Sequence, residues 1–513
     1  MKSILITCVL IMTAFSLNAQ TWPLSDYSIS ALGGSELTNG LAGGLNAAQF
    51  YNVDVNRDGT KDLIVFDRDG SKLMVFEAIP DGDCVGYQLN DELANYFPLM
   101  DQFVIPKDYT RDGVPDLFTF SQIGIDGMQV YRGIDMGDHL EFELVVLDQN
   151  YANVLAYRLG NQFINVPVSR IDLPAIADID GDGDLDILTF PSNGGSLNLY
   201  HNLQVENGLD FDEILFELAD NCWGKFYESD NSEEIFLADN TGACARPGIA
   251  GGAQQRHNGS TTLVWDPNRD GLPDVLIGDF TSDQLVHLQN GGALGNALMT
   301  SQDFRFPAYD QSAVLSTFLA SFHLDVDCDN KKDILVSPNI TNGSAKTNNV
   351  LFYKNIGVNQ DSFEFISNDF LANTILDYGR KSSPATVDIN GDGWMDIVVG
   401  VAQDENNTVP VDARLVVLLN NADGSNPGFA VSDEDYLGLT IFSEGSRMFA
   451  PAFGDMDSDG DMDIVVGDES GFLIYGENIA GPDQPIDIPT VQYGWQGIDT
   501  RNIAVPTIAD VNR

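Results

Sequence analysis

Basic residues are scarce in this chain of 513: Lys and Arg total 25 against 77 acids, for a formal net charge of -52. A field of that sign repels phosphate backbones and anionic membrane surfaces, and no local basic patch offsets it, which excludes a nucleic-acid partner. Histidine is scarcer still. His139, His201, His257, His287 and His323 occur singly, without metal-ligand spacing, and read as packed or surface residues. HExxH, GxSxG and P-loop signatures are missing, and among so many acids no carboxylate pair stands out for glycoside chemistry.

Long apolar runs are missing too. The run from Ile4 to Phe15 follows Lys2 and precedes Ser16, Leu17, Asn18 and Ala19. It is shorter than the roughly 20 residues that span a bilayer, and it has the form of a secretory signal peptide over residues 1–19. No other stretch reads as transmembrane, so the chain is expected to be secreted or on an extracellular surface. Beyond Cys8 in the leader, four cysteines remain. Cys222 and Cys244 flank a polar, insertion-like segment at about 220–246 and are expected to form a disulfide; Cys84 and Cys328 are expected to stay free. The aromatics of that segment, Trp223, Phe226, Tyr227 and Phe236, admit two roles, stacking on sugar rings or filling the insertion's own small core.

Glutamate is also short: 17 of the 77 acids, against 60 Asp. Asp is a poor helix former, a good turn residue and a compact oxygen ligand, so the excess points to loops that bind hard cations. With 43% apolar residues the chain folds, and its acids fall in a repeat, Asp-x-Asp/Asn-x-Asp-Gly-x-x-Asp followed by an apolar residue. Copies begin at Asp54, Asp108, Asp178, Asp266, Asp325, Asp388 and Asp455, and an eighth starts at Asp510, just before the last residue, Arg513.

The spacing suits Ca²⁺, which takes six to eight oxygens: side chains at positions 1, 3 and 5 turn inward, Gly at 6 makes the bend, position 7 offers its carbonyl and Asp at 9 closes the site with both oxygens. The expected ligands are Asp54, Asn56, Asp58, Thr60 and Asp62 in the first copy and Asp108, Thr110, Asp112, Val114 and Asp116 in the second. The third has Asp178, Asp180, Asp182, Asp184 and Asp186; the fourth Asp266, Asn268, Asp270, Leu272 and Asp274. The fifth has Asp325, Asp327, Asp329, Lys331 and Asp333; the sixth Asp388, Asn390, Asp392, Trp394 and Asp396; the seventh Asp455, Asp457, Asp459, Asp461 and Asp463. An EF-hand would need Glu at position 12; Val65, Thr119 and Ile277 stand there, inside strand-like apolar runs. Thr110 weakens the second loop, whereas Asn330, replacing Gly in the fifth, tolerates a left-handed backbone.

Three or four short strands per unit, repeated seven times without a sustained helical period, describe an all-β, seven-bladed β-propeller, or an eight-bladed one whose last repeat is incomplete from about residue 500. The loop, the apolar strand behind it and the lead-in Pro451-Ala452 to Asp455 resemble FG-GAP (VCBS-type) repeats of integrin α-subunit propellers and secreted bacterial proteins, over roughly residues 45–513. The resemblance implies about seven Ca²⁺ sites, mainly structural, on a propeller domain spanning 20–513. The expected function is a non-catalytic binding or adhesion module for an extracellular glycan or protein. A lyase-like polysaccharide-active enzyme and a purely structural spacer are the alternatives. Sequons at Asn258, Asn339, Asn342 and Asn406 add a weak glycosylation signal.

Overall fold

The computed structural model describes residues 27–510 except 82–83, 148–152, 192–193, 211–212, 230–233, 246–258, 341–347, 380, 404–411, 422–427 and 444–446. The expected signal peptide, the sequons at Asn258, Asn342 and Asn406, and the eighth copy beyond Asp510 lie outside the described residues.

The fold is all-β, built on four-stranded antiparallel meanders. In the first sheet Ala48–Val53, Asp62–Asp67, Lys72–Asp81 and Cys84–Leu89 pair in chain order, with the acidic loop joining the first two strands. The second strand is buried along its whole length, which is why it reads as an unbroken apolar run rather than an alternating one. Six more sheets repeat the scheme, opening with Val104–Lys107, Ala175–Ala177, Ser260–Trp265, Leu319–Leu324, Ser383–Val387 and Phe449–Gly454. Two sheets are wider. The third adds Ala156–Leu159 and Gln162–Asn165, and the sixth adds Ser28–Ser30 and Glu36–Leu37 through a parallel pairing of Ser28–Ser30 with Gly428–Asp433.

The opening strands of sheets one to five, and of no other described sheet, line a single cavity. The strand of sheet one lies beside those of sheets two and five, and the strand of sheet four beside those of sheets three and five. A single seven- or eight-bladed circuit is therefore not what the neighbour relations describe: the run turns back on itself after sheet five.

Position 13 of each repeat shows why. Gly278 in sheet four lies so close to the opening strand of sheet five that a Cβ would sit 1.9 Å from Leu319 O, and Gly400 in sheet six meets Phe449 O of sheet seven at the same distance. In sheet five the equivalent residue is Ser337, and its hydroxyl donates to Ala48 O of sheet one. Phe322 packs edge-on against Phe50 and Tyr51 across that seam, each at 5.8 Å. Asn39 seals it from outside, donating to Tyr87 O and Thr374 Oγ1 at 2.9 Å and accepting from Leu89 N at 2.7 Å. Sheets six and seven share a separate core through Val387, Val398, Phe449 and Ile464.

Candidate functional site

All seven acidic loops adopt one conformation. Position 6 has positive φ in every copy, from Asn330 at 63° to Gly183 at 97°. Position 4 does too: Arg57, Arg111, Gly181, Arg269, Cys328, Gly391 and Ser458 all lie between 57° and 83°. Five of those seven are not glycine, so the loop holds them there against a cost of roughly 1–2 kcal/mol each. The first Asp does much of the holding. Its carboxylate accepts the position-6 N–H in six copies, for example Gly59 to Asp54 at 3.1 Å and Gly393 to Asp388 at 2.8 Å. Position 5 accepts the position-7 N–H in all seven, from Thr60 at 2.7 Å to Asp461 at 3.1 Å.

In the third and seventh loops the carboxylates at positions 1, 3 and 5 converge. Ligand atoms of Asp178, Asp180 and Asp182 lie within 4.8 Å of one another, as do those of Asp455, Asp457 and Asp459; in the fifth loop the set is Asp325, Asp327 and, from position 9, Asp333. Each is a set that could hold a divalent cation. Where position 3 is Asn, its amide instead donates to the fifth residue: Asn56 to Asp58, Asn268 to Asp270 and Asn390 to Asp392. In the second loop the Thr110 hydroxyl lies 3.3 Å from Asp108, and the Asp112 N–H keeps its bond to Asp108 at 3.2 Å, as position 5 does in the fourth and sixth loops. The side chains at position 7 share no environment: Val114 is buried and Trp394 exposed, as a backbone role permits.

Position 9 departs from the simple ligand role. Asp62, Asp116, Asp186, Asp274, Asp333, Asp396 and Asp463 are all fully buried. In six copies Oδ2 accepts the N–H of position 2, as from Val55 to Asp62 at 2.9 Å and Met456 to Asp463 at 2.8 Å. In the fourth loop position 2 is Pro267, which has no N–H, and His287 Nε2 takes its place, 3.1 Å from Asp274. The other oxygen accepts from the third strand in six copies, as from Ala78 to Asp62, and in the seventh from Asn478, two residues past that strand. This Asp is thus a clamp between loop and sheet. Burial pushes Asp186 up to about 8 and Asp116 and Asp333 to about 6, and raises Asp62 and Asp396.

The fifth loop has a feature its sequence did not disclose. The Lys354 ammonium from the third strand sits against Asp327, 3.5 Å from Asp329. Cys328 of the same loop is disulfide-bonded, which corrects the expectation that it stays free.

The Cys222–Cys244 disulfide is formed, with Cα atoms 6.0 Å apart. Of the two roles left open for its aromatics, the core wins: Trp223 and Phe226 are buried, and Phe226 meets Phe190 edge-on. The segment is pinned to sheet three by Trp223 N to Leu197 O and Glu228 N to Gly195 O. Glu228 itself is buried, accepts from Ser260 Oγ at 2.8 Å and, through burial and the nearby Asp279, titrates well above the carboxylate range.

The cavity ringed by sheets one to five measures about 570 Å³. Phe50, Ile105, Ile176 and Phe322 form apolar wall, and Asn52, Tyr87, Thr262 and Ser321 bring polar groups. Lys61, Lys107 and Lys332 line the end nearest the acidic loops. At the other end of the strands lies buried Arg68, donating to Ile171 O and Asn339 O at 3.1 Å, to Arg170 O and to Gln102 Oε1. Burial brings it down to about 10. Asn339, the start of a sequon, is buried beside it, with its amide on Ile171 O at 2.8 Å.

Among family comparisons, residues 325–399 match the FG-GAP-like repeat; the segment runs from the first Asp of the fifth loop to the strand behind the sixth. No curated protein matches the chain. Among solved structures, a lectin of Agrocybe aegerita, described as recognising non-reducing terminal N-acetylglucosamine, aligns over 88% of this chain and 94% of its own, at 16% identity and a TM-score of 0.27. That score is too low to carry a conclusion about fold or ligand. What the comparisons establish is that the chain contains an FG-GAP-like repeat at residues 325–399.

Proposed function

We propose that this chain is a secreted, Ca²⁺-stabilised propeller that acts as a non-catalytic binding module for an extracellular glycan or protein. The observation that carries the reading is the acidic loop itself, seven times the same backbone, with three carboxylates drawn together in the third, fifth and seventh copies. Ca²⁺ enters such a set as a structural ion: it cancels the repulsion among clustered carboxylates and fixes the loop that joins two buried strands. Positions 1, 3 and 5, with the position-7 carbonyl, are its ligands, and position 9 contributes through lone pairs that its two backbone hydrogen bonds leave over.

Export is supported by the leader sequence and by the disulfides at Cys222–Cys244 and Cys328, bonds that persist in oxidising compartments. Among the described residues no helix is long and apolar enough to cross a membrane. Five sheets around one cavity, with two more packed beside each other, carry the loops. The test is elemental analysis of the purified protein combined with glycan and protein binding arrays and a polysaccharide turnover assay. About seven Ca²⁺ per chain with ligand capture and no turnover supports the proposal; turnover of a polysaccharide would replace it with the enzyme reading, and a protein without Ca²⁺ would end it.

A further inference from the structure

The central cavity deepens the binding reading, on which this inference rests. The chain has 25 basic residues against 77 acids, yet three lysines converge on this one space. Lys61 and Lys332 hold the same place, the eighth, in the first and fifth loops, and so flank the seam where the circuit closes. Lys107 ends the opening strand of sheet two. None of the three forms an ion pair within 4.0 Å among the described residues.

The lining holds a single carboxylate, Asp325, whose oxygens already accept N–H groups from Cys328 at 2.9 Å and Asn330 at 3.0 Å. His323, in the same wall, has an Nε2 without a hydrogen-bond partner, 3.9 Å from Asp361. Lys61 and Lys332 are exposed at the mouth and Lys107 is half-buried below them; like charges so gathered repel, and an anion placed among them relieves that repulsion.

The size of the space says what kind of anion. At about 570 Å³ it falls in the range of sites for small organic molecules, larger than a bare ion needs. Neutral hydrogen-bonding groups from Asn52, Tyr87, Thr262 and Ser321 share the lining with the lysines and with the aromatic rings of Phe50 and Phe322, a mixture that suits a hydroxylated ring. A chain of net charge -52 repels a dianion more strongly than a monoanion, which favours carboxylate over a phosphate monoester. Arg68 ties Ile171 and Asn339 together at the far ends of the strands, while the lysines stand at the loop end, so a glycan terminus reaches them from the loop side.

We propose that the cavity binds the terminal sugar acid of an anionic glycan, with the carboxylate held by Lys61, Lys107 and Lys332 and the ring over the aromatic wall. The probes are glucuronate and galacturonate, with glucose and inorganic phosphate as controls, titrated calorimetrically into the full chain in excess Ca²⁺. At least one uronate should bind, more weakly as salt rises, and glucose should not. Lys107→Gln and Lys332→Gln should each weaken binding by roughly tenfold, the worth of one charged hydrogen bond. Should Lys107→Gln fail to fold, Lys61→Gln at the exposed mouth replaces it.

Silence with both uronates, equal binding of glucose or phosphate, or folded lysine variants that bind as wild type would each overturn the proposal. An array positive for neutral glycans with both uronates silent rejects the cavity site and leaves the binding-module reading intact. An array silent throughout removes that reading, and uronate binding to wild type but not to the variants still supports the site.

Discussion

Asp62 and Asp58 belong to one loop, and the structure gives them separable tasks. Asp62 is buried, with Val55 N and Ala78 N each 2.9 Å from one of its oxygens. Replacing it with Asn turns one acceptor into a donor that faces a backbone N–H. A buried donor without a partner costs about 1–3 kcal/mol; removing a carboxylate that burial holds above its usual range returns part of this, leaving a net loss of about 2 kcal/mol. That loss involves no metal. Asp58 lies on the surface and contacts only its own loop, through Thr60 N and the Asn56 amide. Asp58→Asn therefore should be nearly silent in EDTA and costly in saturating Ca²⁺, where a charged ligand is lost. Urea midpoints for both variants, each with Ca²⁺ and with EDTA, give the four values needed. The reasoning is refuted if the Asp62→Asn loss vanishes in EDTA, or if Asp58→Asn destabilises equally in both buffers.

EDTA should lower the melting temperature of the wild type and excess Ca²⁺ should raise it, by about 2.7 kcal/mol per site at a hundredfold excess over Kd; equal melting in both would remove the metal. Lys354→Gln should raise Ca²⁺ occupancy of the fifth loop, because the ammonium beside Asp327 and Asp329 stands where a cation would; unchanged anomalous density there at limiting Ca²⁺ would show that the lysine does not compete. Glu228→Gln should stabilise the protein at pH 8 and make no difference near pH 4. The folded carboxyl titrates above its unfolded value, so its contribution is full below about 4.3 and is lost as pH rises; a urea-midpoint difference that does not grow with pH would contradict this.

What the sequence revealed depended on whether a feature leaves a local mark. The loops were legible because Gly59 and its equivalents need a left-handed backbone and because Asp recurs at fixed offsets. Position 4 is equally left-handed but escaped notice: Arg57, Cys328 and Ser458 share no side-chain property, and their conformation comes from the bonds around them. Asp62 was found as an acid of the motif, yet its clamp was hidden because one partner, Ala78, lies on the next strand, 16 residues on. The strand Ser28–Ser30 was invisible for a similar reason, since it pairs with residues about 400 positions distant and carries no acidic loop. The insertion's cysteines were readable from their flanking position, whereas only packing could decide that Trp223 and Phe226 face inward.

Ring size is the instructive case, because every repeat announces a blade and none announces its neighbour. The contact that sets the order is made at position 13, where Gly278 and Gly400 admit the next strand by lacking a Cβ and Ser337 admits it by offering a hydroxyl. A glycine there accepts any strand that presents a carbonyl, so it confers proximity without choice. Ser337 adds direction, and the Phe322 contacts, the Asn39 bonds and Arg68 reinforce the same partner from inside, outside and below. Gly467 of sheet seven repeats the permissive form, with Ala504 O 2.2 Å from where its Cβ would stand, so the residues leading to Asp510 take the place of a next opening strand. Closure at sheet five therefore follows from a few long-range contacts laid over a uniform repeat. Those contacts also shape the cavity, since the residues that close the circuit and the lysines that charge it, Lys61 and Lys332, meet at one seam.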